Sequence, residues 1–168
     1  MFEIRPAALS EFALLPALEA DADAAFETLV PPLSVADFPP PADPSEYAAA
    51  FHIMVAGRPP VGFVRLEIVD GQAHLEQLAV SPEYAGQGIG RALVMAAMAW
   101  AREVGFHAMT LCTFAQVPFN APFYASCGFS ELDHSQWGAD LTELRESEAI
   151  LEAIAPRIAM RIKLTPLE

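Results

Sequence analysis

Val80-Ser81-Pro82-Glu83-Tyr84-Ala85-Gly86-Gln87-Gly88-Ile89-Gly90-Arg91 is the stretch on which the reading of this chain turns. A strand-like run, Leu75 to Val80, leads into it, and a helical run, Arg91 to Val104, leads out. A glycine-rich turn between a strand and a helix aims several backbone N–H groups at one point. Gly86, Gly88 and Gly90 stand at alternate positions, so an anion can approach the main chain with no Cβ atoms in the way. The first amides of the helix and the positive end of its dipole favour a phosphate there. Two familiar phosphate loops do not fit. A P-loop ends in Gly-Lys-Ser or Gly-Lys-Thr, whereas Gly90 is followed by Arg91-Ala92-Leu93. The dinucleotide fingerprint needs a glycine where this chain has Arg91. The plain alternative is a tight strand-to-helix turn with no ligand.

A second signal lies downstream. Asn120-Ala121-Pro122-Phe123-Tyr124-Ala125-Ser126-Cys127-Gly128-Phe129 reads as a short helix that Gly128 stops, with Phe129 opening the next strand. The two segments, in this order, resemble the GCN5-related N-acetyltransferase (GNAT) superfamily. Its acyl-CoA loop has the pattern Gln/Arg-x-x-Gly-x-Gly/Ala. Gly88 and Gly90 match the last two fixed positions, and the first is Ala85, a departure. The loop amides are main chain and do not depend on that side chain; what is lost is a group that shapes the loop or holds phosphate. The late segment is similar to the superfamily's Tyr-x-x-x-Gly-Phe, whose tyrosine, here Tyr124, often protonates the departing CoA thiolate. Glu3-Ile4-Arg5-Pro6-Ala7 also resembles the family's first strand. The resemblance implies an α/β fold with a mixed, mostly antiparallel sheet flanked by helices, in one N-acetyltransferase domain over residues 1–168. It implies acetyl-CoA as co-substrate and direct acetyl transfer to a primary amine in a ternary complex, with no covalent acyl-enzyme.

Site residues follow from the same resemblance. The main chain of Leu78, Ala79 and Val80 is expected to pair with the pantetheine arm. Gly86, Gln87, Gly88, Ile89, Gly90 and Arg91 are expected to hold the pyrophosphate. The analogous strand often carries a glutamate as general base at the position of His74, with Glu76 two residues on. Strand side chains alternate, so His74, Glu76, Leu78 and Val80 share a face unless a bulge near Leu78 re-aims them. A base is needed because an alkylammonium has a pKa of about 10 and must lose a proton before attack. Neutral His74, or a Glu76 raised by burial, meets that need directly or through water. Each role has a plainer reading. Glu76 also fits a surface strand, His74 a structural histidine, and Tyr124 simple packing with Phe123 and Phe129. Asn120 either contacts CoA or caps the short helix; related enzymes more often place such an asparagine at the position held here by Val117.

Composition narrows the classes. The 168 residues are 54% hydrophobic, enough for a folded core. The formal net charge is −13, with Lys163 the one lysine, which argues against nucleic acid and anionic membrane surfaces. An acidic chain is compatible with a cationic amine substrate, and equally with an acidic surface kept for solubility. No apolar run approaches the roughly 18 residues of a membrane span. Met1-Phe2-Glu3-Ile4-Arg5 lacks a signal-peptide pattern, so a cytoplasmic protein is expected. Cys112 and Cys127 have no metal-like spacing; they read as reduced thiols, and no metal site is expected.

Along the chain, Phe2 to Arg5 reads as a strand and Ser10 to Ala25 as a helix with Ser10 as N-cap. Val30 to Ser45, with Pro39-Pro40-Pro41, reads as a loop with room for helical pieces on either side; the resemblance implies part of the acceptor-side wall here, semi-rigid by composition, and a plain linker fits equally. Glu46 to Val55 leads into a strand. Val61 to Val69 and Gln72 to Val80 are strands joined at Asp70-Gly71. Ala108 to Phe114 is a strand, and Ala139 to Ile154 a helix. Arg157 to Leu164 alternates as a half-buried closing strand, with Ile158, Met160, Ile162 and Leu164 on one face and Arg157, Arg161 and Lys163 on the other, and is a candidate homodimer edge. Trp100 reads as core; Trp137 lines the acceptor pocket or seals an edge. The acceptor, a small-molecule or peptide amine, is expected to meet Phe26 to Tyr47 and residues after Phe129. Two further classes stay open: an acyl-CoA-binding module without turnover, and an interaction protein that binds no CoA.

Overall fold

The computed structural model describes residues 2–165. Its strands and α-helices, in chain order, are Ile4–Pro6 (β1), Leu15–Asp23 (α1), Pro44–Ala49 (α2), His52–Ala56 (β2), Gly62–Val69 (β3), Gln72–Val80 (β4), Ile89–Glu103 (α3), Ala108–Phe114 (β5), Ala121–Ser126 (α4), Ser130–Glu131 (β6), Ala139–Ser147 (α5), Ala149–Glu152 (α6) and Arg157–Lys163 (β7). Hydrogen-bonded strand neighbours follow the order β1-β2-β3-β4-β5-β7-β6. The sheet is mixed: β4 and β5 run parallel, while β1–β2, β2–β3, β5–β7 and β6–β7 are antiparallel. The α/β class expected from the sequence is therefore the one found. No helix among the described residues is long and apolar enough to cross a membrane.

The chain packs as two compact units, each discontinuous in sequence. Among the described residues, the first holds those up to Glu67 together with Glu76–Ala97; the second holds Ile68–Leu75 and those from Met98 to Thr165. The first unit buries Leu15, Leu18, Tyr47, Ile53, Val55, Phe63 and Ala79 in one cluster. The second buries Val69, Leu132, Leu141 and Ala159, with Trp137 and Leu144 packed against them.

Local sequence explains most boundaries. Asp70 (φ 52°) and Gly71 (φ 74°) both adopt the left-handed conformation that a two-residue hairpin turn requires, so β3 and β4 end where the alternation does. On α3, Leu93, Val94, Ala97, Met98 and Ala101 are buried at helical spacing.

Other expectations are corrected. The first helix is split into a 3-10 turn at Leu9–Leu14, α1, and a second 3-10 turn at Ala24–Thr28. Pro16 near the start of α1 has no N–H to carry a longer helix through. Ser10 is not the cap; the Ala8 N–H donates to Glu11 Oε2 at 2.9 Å. Glu46 is helical rather than leading into a strand. Asp43 Oδ1 accepts from the Ser45 and Glu46 amides at 2.8 and 3.1 Å, and Pro44 occupies the first turn, which together start α2 inside the expected loop. The late helix breaks at Glu148 (φ −96°, ψ 16°) into α5 and α6.

β7 is flanked by β5 on one side and by β6 on the other. Its Arg157 does not face outward. The side chain is 7% exposed, bonds Glu148 Oε2 at 2.9 Å and lies 5.1 Å over the Phe114 ring.

A long-range lock completes the second unit. The Asp70 carboxylate accepts from the Asp140 and Leu141 amides at the start of α5, at 2.8 and 3.1 Å, and the Asp70 N–H donates to Asp140 Oδ2 at 2.9 Å. A Cβ on Gly138 would sit 2.3 Å from Asp70 Cγ, so only glycine lets the carboxylate reach the helix.

Candidate active site

In the first unit, β4 runs into the glycine-rich turn. Ala79 is buried in the cluster of Leu15 and Phe63, while Leu78 and Val80 are half-buried. The Ser81 N–H donates to the Val61 carbonyl at 2.8 Å and fixes the end of the strand. A 3-10 turn at Pro82–Tyr84 follows, its Tyr84 ring edge-on to Phe2 at 5.3 Å. Gly86 (φ 77°) and Gly88 (φ 80°) adopt left-handed backbone, and nothing lies within 4 Å of where their Cβ atoms would be. The main chain is thus open to an approaching group. The Gly88 carbonyl accepts the Ala92 N–H at 3.0 Å, the first bond into α3. The amides of Ile89 and Gly90 precede that bond, where a helix has no acceptor of its own to offer. Arg91 is exposed on the first turn, and Gln87 and Ala85 are exposed in the loop. An open, amide-rich turn at a helix N-terminus fits the pyrophosphate of a CoA thioester.

Glu76 lies on β4 in the same unit and is half-buried. So is a pair of partly sequestered carboxylates on α1. The Tyr47 hydroxyl donates to Glu19 Oε2, and the Ala42 N–H donates to the same oxygen at 3.3 Å. Burial pushes the Glu19 carboxyl up, and the two donors oppose it. Burial, then the neighbouring Glu19, pushes Asp23 up to about 6. The Arg65 guanidinium stands 5.7 Å from the Tyr47 ring centroid. In the proline-rich stretch Phe26 and Phe38 meet edge-on at 5.0 Å.

The second unit holds the other expected residues. Tyr124 on α4 is buried, its ring edge-on to Phe123 at 5.2 Å and to Phe129 at 5.9 Å. Burial, with a smaller contribution from Cys127, pushes its phenol well above the ordinary range, so it keeps its proton at neutral pH. Asn120 precedes α4 and its carbonyl accepts the Tyr124 N–H at 2.9 Å. Its side chain does not cap the helix; Nδ2 donates to the Phe119 carbonyl at 3.0 Å. Trp137 Nε1 donates to the Leu132 carbonyl at 3.1 Å, with Arg145 5.0 Å from its ring centroid and His134 at 4.5 Å, so the indole seals this unit's core.

His74 is 1% exposed. Its Nδ1 shares a hydrogen bond of 2.8 Å with Thr110 Oγ1 on β5. Burial, then the Arg157 charge, pushes the imidazole down to about 4, and Asp70 opposes them. The ring is neutral at pH 7 and a weak base.

The sequence-predicted residues thus fall into two groups. Glu76, Leu78 to Val80 and Gly86 to Arg91 are in the first unit; His74, Asn120 and Tyr124 are in the second. Sequence reasoning missed Thr110, which carries no motif; only the register His74↔Thr110 reveals it. It also missed the Glu19–Tyr47 bond, which joins residues far apart in the chain.

Comparisons with known proteins bear on the family and the fold. The model of the acetyltransferase (GNAT) family matches residues 15–129. The ribosomal-protein-S18-alanine N-acetyltransferase from Escherichia coli superposes with a TM-score of 0.70 at 17% identity, covering 100% of this chain and 97% of that one. An acetyltransferase of the GNAT family from Staphylococcus aureus Mu50 gives 0.72 at 15%, covering 98% and 100%. The PaiA N-acetyltransferase from Thermoplasma acidophilum, solved with coenzyme A, gives 0.66 at 16%, covering 97% and 99%. With a family model over more than half its length and the loop and tyrosine helix in the expected order, this chain belongs to the GNAT acetyltransferase family.

Proposed function

We propose that this chain transfers the acetyl group of acetyl-CoA to a primary amine by direct attack, without a covalent acyl-enzyme. Acetyl-CoA, the co-substrate that goes with the family, supplies the activated thioester. The observation that carries the reading is the open turn at Gly86 and Gly88, whose bare main chain leads into the N-terminus of α3. There the amides of Ile89 and Gly90 and the Arg91 guanidinium meet the pyrophosphate, with Gln87 alongside. A main-chain N–H of Leu78 to Val80 donates to the thioester oxygen as negative charge gathers on it. Asn120, whose side chain does not serve as a cap, contributes a further polar contact to CoA.

Two residues compete for the role of base. His74 titrates at about 4, too low to take a proton efficiently from an ammonium group near neutrality. Glu76, half-buried two residues on, is the better candidate, directly or through water. The amine nitrogen, once deprotonated, bonds to the carbonyl carbon and the carbon–sulfur bond breaks. Tyr124 gives its proton to the sulfur. The acceptor class is supported by the charge of the Phe26 to Tyr47 part of its expected wall. From Pro6 to Gly57 the chain carries carboxylates and no lysine or arginine, which favours a cationic amine.

Titration calorimetry with acetyl-CoA, beside a Gly88→Trp variant verified as folded, tests the donor site. Micromolar binding by the native protein and none by the variant is the expected result. Turnover with a panel of amines then tests the chemistry, and Tyr124→Phe should lower kcat by about a hundredfold with little change in KM for acetyl-CoA. No binding at near-millimolar acetyl-CoA overturns the reading. Binding without turnover of any amine reduces the chain to an acyl-CoA-binding module.

A further inference from the structure

The parallel ladder between β4 and β5 is short. Its register pairs are Ala73↔Met109, His74↔Thr110 and Leu75↔Leu111. β4 then continues through Glu76 to Val80. Parallel pairing is slightly weaker per residue than antiparallel pairing, so a three-pair ladder is poorly defended against slippage. Slippage matters here because a shift of one residue turns every side chain of a strand to its other face. Such a shift would move Glu76 away from the direction it now takes.

The β3–β4 hairpin turn and the Ala108 N–H, which donates to Gln72 Oε1 at 3.0 Å, oppose it at one end of the strand; within the ladder a buried side-chain pair opposes it as well. His74 and Thr110 are the middle pair of the ladder, and in parallel register their side chains stand on the same face. His74 Nδ1 and Thr110 Oγ1 are 2.8 Å apart, with the residues only 1% and 7% exposed. A buried hydrogen bond of this kind is expensive to leave unmade, since each partner was desolvated to form it. It forms in this register and would be lost after a one-residue slip. An apolar pair at these positions would pack equally well in several registers; a polar pair selects one.

We propose that the His74–Thr110 hydrogen bond is a positioning device that fixes the register of β4 and so the direction of Glu76. This rests on the reading of Glu76 as the base. Neither His74 nor Thr110 touches the reacting atoms in this scheme. Both act through Glu76, and Thr110 is the more informative handle because Thr110→Val keeps the branched shape and removes only the hydroxyl's bonding.

The test compares native protein, Thr110→Val and Thr110→Ser by amide hydrogen exchange and by the carboxyl carbon resonance of Glu76 in NMR. In Thr110→Val the amides of Glu76 and Gln77 should exchange about tenfold faster, those of Ile53 and Val55 on β2 should not change, and the Glu76 resonance should move. Thr110→Ser, which keeps a hydroxyl, should restore both. His74→Leu, which removes the other partner, should reproduce the Thr110→Val signature and serves if that variant does not fold. Unchanged exchange at Glu76 and an unmoved Glu76 resonance overturn the proposal. Equal acceleration on β2 also overturns it, because the pair would then act as general stability. These readouts need no acceptor amine. Retained turnover in Glu76→Gln would instead remove Glu76 as base, an outcome read in a separate assay.

Discussion

His74 shows how one side chain can set an acid limit. Its imidazole is held near 4 in the fold against 6.5 in a free chain. Between those values the unfolded chain binds a proton that the folded protein refuses, so stability falls as pH falls through that window. A shift of this size corresponds to about 3 kcal/mol lost by pH 4. Asp23, raised to about 6, works in the opposite sense: the fold takes its proton first and gains stability as pH falls through 6. Glu19 and Glu148, both raised by burial, act as Asp23 does. The pH dependence of the native protein alone therefore mixes signs. The informative quantity is the difference between native protein and His74→Leu in urea unfolding at pH 7 and pH 4.5. The native protein should lose more stability than the variant over that interval. Parallel curves would show that the ring takes up no proton differently in the two states.

At the scale of elements, the lock between the β3–β4 turn and α5 makes a non-additive prediction. Asp70→Ala removes the acceptor for two helix amides and should cost about 1–2 kcal/mol. Gly138→Ala should cost at least as much, because its Cβ would displace the carboxylate. The double variant should cost clearly less than the sum, since with Asp70 shortened the Cβ has room. Additive losses in chemical denaturation would mean the two positions act separately. The same elements show what a sequence discloses. β4 and β5 were legible to the residue, and β3 to within one, because alternation and turn signals bound them closely. The glycine loop and the Tyr124 helix were legible as motifs. α2 was legible only as a helical piece beside a proline-rich run, without bounds, although Asp43-Pro44-Ser45-Glu46 carries its own start signal, a capping carboxylate followed by proline. The Asp70 lock, the His74–Thr110 bond and the buried Arg157 were not legible. Each depends on which distant residue the register delivers, and no local pattern encodes that.

At the scale of the whole molecule, a net charge of −13 would repel the anionic donor and attract the cationic acceptor proposed above. Raising ionic strength from about 0.02 to about 0.3 M shortens the screening length severalfold and should move the two constants in opposite directions. KM for acetyl-CoA should fall, while KM for a cationic amine should rise; a neutral acceptor would show only the first change. Steady-state kinetics at several salt concentrations separates these cases. The division into interleaved units carries a genetic consequence. A crossover between two related genes at the Ala97–Met98 boundary would exchange the late part of the second unit but leave Ile68–Leu75 with the other parent. That small remnant carries both Asp70 and His74, whose partners Asp140, Leu141 and Thr110 would now come from elsewhere. Chimeras of this kind take the two sides of both linkages from different parents, so recombination within the family is expected to spare this segment or to carry it across by double exchange.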